Sequence, residues 1–333
     1  MSTGLEFRHL ILSITSQCPL QCEYCCVDSG PWRRETMELR DAVSYVHQAK
    51  TECPEATLSF TGGEPFARFS LMRDISREAS GLGMWHTAIT SASWAKSTAY
   101  ASERLGELKA NGLRTLTISY DSSHAPWIDV ERVKNCVRAG HGIGIRVVVA
   151  GSTSKSRAGA ADALGDWLKE FPGVETKDGA IVPQGRASNI PQVDLLINDW
   201  TGKNLACPAT GDLLIEANGD AYPCCSTAGD YEFLRLGNAK TTSLRELRSR
   251  AENSIWFQMI TTEGFAGLQR LVKKYHPTVD FPTHYVGVCH LCQMVFGDDE
   301  IGILVRDALR RAEEDRNQAA LGLFNDLRRM ISA

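Results

Sequence analysis

The stretch Cys18-Pro-Leu-Gln-Cys22-Glu-Tyr-Cys25 follows directly on an apolar, partly β-branched run from His9 to Thr15. Such a run reads as a buried strand, so the cysteines sit on the loop leaving its carboxyl end. Three thiolates separated by three and then two residues can converge on one face of a small inorganic centre. A mononuclear zinc, or a cubane held wholly by protein, would want a fourth cysteine close by. Three local ligands leave one iron open. On the triplet alone, a zinc knuckle or an iron–sulfur electron carrier is the alternative.

Outward from this loop the chain alternates. A helix capped by Thr36 and running to about Lys50 precedes a strand at Thr57 to Thr61 and a helix after Pro65. A strand at His86 to Thr90, a helix from about Ser97 to Asn111-Gly112, and a strand at Thr115 to Tyr120 follow. A helix opened by Pro126, a strand at Ile143 to Ala150, a helix near Ala158 to Phe171 and a strand at Ala180 to Gln184 complete the pattern. It predicts an α/β fold, a parallel sheet covered by helices, and six strands suit a partial (β/α)6 TIM-like barrel open on one side.

Ligands of such sheets bind at the carboxyl ends of the strands. The second strand ends in Thr61-Gly62-Gly63-Glu64-Pro65, whose glycines allow close backbone approach and whose Glu64 can accept from an ammonium. The fourth ends in Ser119-Tyr120-Asp121-Ser122-Ser123-His124. Ser119 and Asp121 point to one side of an extended chain and can bond a ribose or substrate hydroxyl; equally, Asp and Ser open helices. His124 is a candidate acid or base, with an ordinary loop histidine as the alternative. The sixth runs into Pro183-Gln184-Gly185-Arg186-Ala187, where Arg186 is placed to anchor a carboxylate.

The alternation breaks after residue 188, which puts domain boundaries at 1–190, 191–298 and 299–333. Cys207 is followed by a hairpin signal at Asn218-Gly219 and by Cys224. Cys289-His-Leu-Cys292 supplies two more thiolates on what reads as a tight turn. Four thiolates would hold zinc or an iron–sulfur cluster. Residues 230–285 read as an insertion that shapes the substrate pocket. The tail from Glu300 to Met330 reads as an amphipathic helix with Leu304, Ala308, Leu309 and Ala312 on one face.

Bulk properties narrow the partners. The net charge of −4 argues against nucleic acid or an anionic membrane as the main partner. No run approaches the roughly 20 apolar residues that span a bilayer, and the first dozen residues lack a signal-peptide core, so a cytoplasmic protein is expected. In a reducing compartment the 11 cysteines read as metal ligands before disulfides. Cys26, Cys53 and Cys136 fit no partner pattern and read as core. Cys225 is a spare thiol, either a small buried hydrophobe or a hydrogen donor near the active site.

CxxxCxxC with an aromatic before its last cysteine resembles the radical S-adenosylmethionine (radical SAM) family. One strand later, Gly62-Gly63-Glu64-Pro65 resembles that family's GGEP motif. The resemblance implies a [4Fe–4S] cluster on Cys18, Cys22 and Cys25, with SAM chelating its open iron. It further implies that the GGEP turn holds the methionine amino group and that the Ser119–Asp121 strand end contributes to the ribose site. C-x11-G-x4-C from Cys207 to Cys224, with Cys289 and Cys292 beyond, resembles the twitch domain, smaller relative of the SPASM domain. That implies a second [4Fe–4S] cluster on these four cysteines, in electron transfer. The implied activity is reductive SAM cleavage to a 5′-deoxyadenosyl radical, hydrogen abstraction from an unactivated C–H bond, and oxidative modification of a ribosomally made peptide in natural-product maturation. Flavodoxin or ferredoxin would supply electrons. The alternatives are dehydrogenation or epimerisation of an aminoglycoside-type small molecule, with Cys225 returning hydrogen, and a non-catalytic iron–sulfur redox or sensor protein.

Overall fold

A computed structural model of the chain describes residues 7–209, 211–225, 231–297 and 299–332, with side chains through residue 323. The opening Met1 to Glu6, part of the stretch expected to lack a signal peptide, lies outside them. In chain order the elements are β1 (His9–Ser13), α1 (Leu39–Glu52), β2 (Thr57–Thr61), α2 (Phe69–Gly81), β3 (His86–Thr90), α3 (Thr98–Ala110) and β4 (Leu113–Ser119). Next come α4 (Val130–Gly142), β5 (Arg146–Thr153), α5 (Ala160–Leu164), β6 (Glu175–Ala180), β7 (Asn198–Asp199), β8 (Asp212–Ile215), β9 (Asp220–Tyr222) and β10 (Gly237–Asn238). The remainder is α6 (Leu244–Asn253), α7 (Ile255–Gln258), α8 (Gly264–Tyr275), β11 (His284–Tyr285), α9 (Val288–Phe296) and α10 (Glu300–Ser332). No helix among the described residues is long and apolar enough to cross a membrane.

The chain forms two compact units, one of Met1–Ile197 with Ala209–Ser249, the other of Asn198–Pro208 with Arg250–Ala333. In the first unit β1 to β6 pair in parallel, each with its neighbour in sequence. The sheet is open, as a partial barrel requires, with β6 at one edge. On the other side of β1, β8 pairs in parallel and carries the antiparallel β9 and β10, so the hairpin continues the barrel sheet. The interior strands share one fully buried face, to which alternate residues point: Leu10 and Leu12 in β1, Leu58 and Phe60 in β2, and Leu116 and Ile118 in β4 have no exposed surface. Each such side chain contributes about 1.5–3 kcal/mol.

Several local expectations are corrected. Thr36 does not cap α1, whose cap position is Glu38. Its hydroxyl is instead tied to Arg68 and Thr15. The fourth helix starts at Val130 behind an Asp129 cap rather than at Pro126. β6 occupies Glu175–Ala180, ahead of the apolar run Ala180 to Gln184, and all its residues are exposed. As a polar edge strand it lacks the hydrophobic pattern that betrays an interior one. Gly219, at φ 96°, makes the expected turn between β8 and β9, with the Asp220 amide donating to Asn218 Oδ1 at 2.9 Å.

In the second unit β7 and β11 form a two-stranded antiparallel ribbon. α10 packs on α8 and α9, burying Val305, Ala308, Leu309 and Ala312, while Leu304 is only half-buried. Cys289 and Cys292 lie one turn apart on α9, not on a tight turn. Spacing of three places both on one helical face.

Candidate active site

The carboxyl ends of β1 and β2 are joined by backbone. The loop leaving β1 accepts from the turn after β2: Gly63 N–H donates to the Thr15 carbonyl at 2.7 Å, and Glu64 N–H to that of Gln17 at 2.9 Å. This explains the two glycines. Gly62 has φ 129°, and a Cβ on either glycine would collide with the Thr15 or Gln17 carbonyl. The close approach is therefore to the cysteine loop itself.

The Glu64 side chain turns inward and is 1% exposed. Oε1 accepts from Thr90 Oγ1 at 2.7 Å and Phe66 N–H at 3.1 Å, Oε2 from Ser91 N–H at 2.8 Å and Ser91 Oγ at 2.5 Å. Burial pushes its carboxyl above the ordinary range, against the pull of these four donors. Glu64 thus pins the β2 turn to the end of β3, and Pro65 starts the single helical turn Pro65–Arg68 behind it.

Asp121 is also turned inward, with no exposed surface. Oδ1 accepts from the amides of Ser123 and His124 at 2.9 and 3.1 Å and lies 3.0 Å from His124 Nδ1. Oδ2 accepts from Tyr24 Oη and, at 2.8 Å, from the Ser152 amide of β5. Burial opposes ionisation, but the bonds from His124 and Tyr24 and the Ser152 amide outweigh it and hold the carboxyl below its usual value. Tyr24 Oη also lies 2.7 Å from His124 Nδ1, and burial beside Asp121 pushes the phenol well above its usual range. Asp121 thus shapes the strand end and ties down the cysteine loop. Among the described residues neither the Ser119 hydroxyl nor His124 Nε2 makes a hydrogen bond, so these two retain capacity for a ligand.

Cys18, Cys22 and Cys25 lie on the loop so anchored. Burial, then repulsion from Cys18 and Cys25, pushes Cys22 up to about 12; burial does the same for Cys18, with Glu64 and Cys25 adding to it. Cys25 acts on both, so the three thiols lie within electrostatic reach of one another. Among the described residues no three His, Cys, Asp or Glu side chains are gathered to hold a metal ion. A cluster distributes its thiolates over separate irons, and an all-thiol donor set in a half-buried loop suits it. The second cysteine set is divided between the units: Cys224 follows β9 in the first, while Cys207, Cys289 and Cys292 belong to the second. Of the three cysteines read as core, Cys136 is buried and Cys53 half-buried, but Cys26 is exposed.

A cleft opens where β1, β2 and β8 end. Ser13, Thr61, Gly62, Glu216, Asn218 and Cys225 are among the residues that line it. Sequence reasoning missed the roles of Tyr24, Thr90, Ser91 and Ser152. Only Tyr24, the aromatic inside the cysteine motif, carried a local signal.

Residues 12–153 match the family model of the radical SAM superfamily, and residues 207–270 match that of the SPASM iron–sulfur cluster-binding domain. The chain carries a radical SAM domain followed by a SPASM domain. Its two domains imply SAM and iron–sulfur clusters. The putative peptide biosynthesis protein YydG of Bacillus subtilis (strain 168) is 24% identical over 302 residues, covering 87% of this chain and 92% of that protein. Streptococcus suis SuiB, solved with precursor peptide SuiA, superposes with TM-score 0.59 at 16% identity, over 85% of this chain and 76% of SuiB. BtrN, solved with AdoMet and 2-DOIA, gives TM-score 0.50 at 15% identity, over 78% and 89%. The two structural likenesses establish shared fold.

Proposed function

We propose that this protein is an enzyme that modifies a ribosomally made peptide by removing a hydrogen atom from carbon and, at the same centre, returning one through Cys225. The peptide substrate is supported by the likeness to a putative peptide biosynthesis protein along most of both chains and to a protein solved with a bound precursor peptide. The observation that carries the reaction is the cleft in which Cys225 and Gly62 of the GGEP turn are both lining residues.

Cys18, Cys22 and Cys25 would hold the first cluster, and Gly62, Gly63 and Pro65 with Ser119 would hold SAM. When bound and reduced by one electron, this pair supplies a 5′-deoxyadenosyl radical that takes hydrogen from a C–H bond. Glu64 and Asp121 keep the two strand ends rigid, and the cleft orients the peptide. Hydrogen delivered by the Cys225 thiol to the opposite face of the carbon inverts its configuration. The sulfur is left one hydrogen atom short. A second electron from the external donor, which the second iron–sulfur site would carry, and a solvent proton would restore it. Cys207, Cys224, Cys289 and Cys292 would hold that second [4Fe–4S] cluster, and a flavodoxin or ferredoxin would reduce the first.

The second reading is net oxidation, the substrate electron leaving through the second cluster. It is favoured by the two thiols one turn apart on α9. One experiment separates the two. Reconstituted protein is incubated with SAM, reductant and each short peptide encoded by the neighbouring genes, in deuterated water, and the peptides are analysed by mass and by chirality. Inversion with one deuterium gained, lost in Cys225→Ala while 5′-deoxyadenosine still forms, is expected. A peptide short of two hydrogens, formed equally by Cys225→Ala, would establish oxidation instead.

A further inference from the structure

Arg186 was expected to anchor a carboxylate, and the one it holds belongs to the chain itself. Its Nη1 donates to Asp28 Oδ1 at 2.8 Å and to the Ser29 carbonyl at 2.6 Å, while Nε donates to the Cys22 carbonyl at 2.9 Å. The Arg186 amide donates to the Cys25 carbonyl at 3.0 Å, and the guanidinium lies 5.3 Å from the centre of the Trp32 ring. Gly185, at φ 55°, allows this approach: a Cβ there would stand 2.6 Å from the Cys25 carbonyl oxygen and 2.7 Å from that of Cys26. Asp28 is itself left-handed, at φ 46°, and the Arg186 ion pair holds that turn closed.

The loop after β6 therefore grips the cysteine loop at Cys22, Cys25, Asp28 and Ser29. Two features give the grip an electrical side. The Arg186 side chain is 19% exposed and that of Asp28 50%, so water screens the anion more than the cation. A guanidinium keeps its charge at every working pH, and its planar fork can hold two carbonyls and a carboxylate at once.

We propose that Arg186 is a positioning residue for the SAM-binding cluster. It clamps the loop that presents Cys18, Cys22 and Cys25, and its fixed positive charge raises the reduction potential of the cluster they hold. This rests on the reading that those three cysteines hold a cluster. Reduction adds one electron, hence one negative charge, delivered by an external one-electron donor. A cation held beside the loop stabilises the reduced form more than the oxidised one.

The test uses the full chain, reconstituted anaerobically, as wild type, Arg186→Gln and Arg186→Lys. Iron is counted, its release to a chelator is timed, and the EPR signal that responds to added SAM is titrated with titanium(III) citrate. Arg186→Gln is expected to shift the midpoint to a more negative value. Arg186→Lys, which keeps the charge but not the fork, is expected to hold a midpoint near wild type while releasing iron severalfold faster. A wild-type midpoint in Arg186→Gln at full iron content overturns the electrostatic role, and so does a Lys midpoint as low as that of Gln. Should Arg186→Gln fail to fold by circular dichroism, the Lys variant decides: unchanged iron release overturns the clamp. Failure of the underlying reading is distinct, because the wild type would then carry no SAM-responsive iron at all.

Discussion

His86 opens β3, and Glu64 lies just past the end of β2; both are buried in the same sheet, yet they are furnished differently. The His86 ring packs edge-on against Phe60 and reaches Ser76 Oγ through Nε2 at 3.3 Å, while Nδ1 is buried without a partner. Burial drives its pKa down to about 4. Glu64 has four donors and Asp121 has contacts to both oxygens. At the starting end of β3, His86 meets the Phe60 ring and a single hydroxyl of α2. At the carboxyl ends a polar side chain meets loops with unsatisfied amides and hydroxyls, which can complete its hydrogen bonds and couple it to the cysteine loop. Polar residues at one end of the sheet thus bear on stability, and those at the other on the site as well.

The largest effect expected on this contrast comes from the loop itself. Wild type should hold about eight irons, and Cys18/Cys22/Cys25→Ala about four, with the SAM-induced EPR change and all product lost. About four irons plus zinc in the wild type would make the second cysteine set a structural zinc site and leave the contrast resting on one cluster.

At the other end of the sheet the expected effect is on folding alone. An unfolded chain protonates His86 near its ordinary 6.5 and the folded one near 4, so the unfolded state binds more protons between these values. Stability contributed by the neutral ring is complete above pH 6.5 and declines as pH falls toward 4, by on the order of 3 kcal/mol. Urea midpoints measured across this range should show the decline, and His86→Leu should flatten it. A slope that persists in the variant would assign it to other groups.

Asp121→Asn is the finer probe. It replaces one acceptor with a donor facing the Tyr24 hydroxyl or the Ser152 amide, at a cost of about 1–3 kcal/mol. Faster iron loss should accompany the lower urea midpoint. The same destabilisation with iron retention unchanged would erase the difference between the two ends.

Much of the first unit was legible because its signals are local. β2 and β3 fall on their expected bounds, and Ser97 caps α3 by accepting from the Tyr100 amide. The hairpin follows from Asn218-Gly219 because an αL turn demands such residues. β6 escaped because an exposed edge strand needs no apolar alternation. The site was legible in its residue types, but its contacts within the chain were not. Glu64, Asp121 and Arg186 were each assigned to a ligand from their chemistry, and each bonds to a neighbouring loop of the chain.

The sequence by itself determined the order of strands and helices, the spacing of the cysteines, and the glycines that turns and close approaches require. These are properties of a few consecutive residues and their backbone sterics. Tertiary structure alone decided that Tyr24 meets Asp121, that Arg186 grips the Cys22 to Ser29 loop, and that Cys225 and Gly62 share a cleft. The last depends on β8 lying beside β1, an arrangement set by which apolar edges pair when the sheet is complete. No short stretch encodes it, because the partners are distant in sequence and meet only once the parallel register has formed.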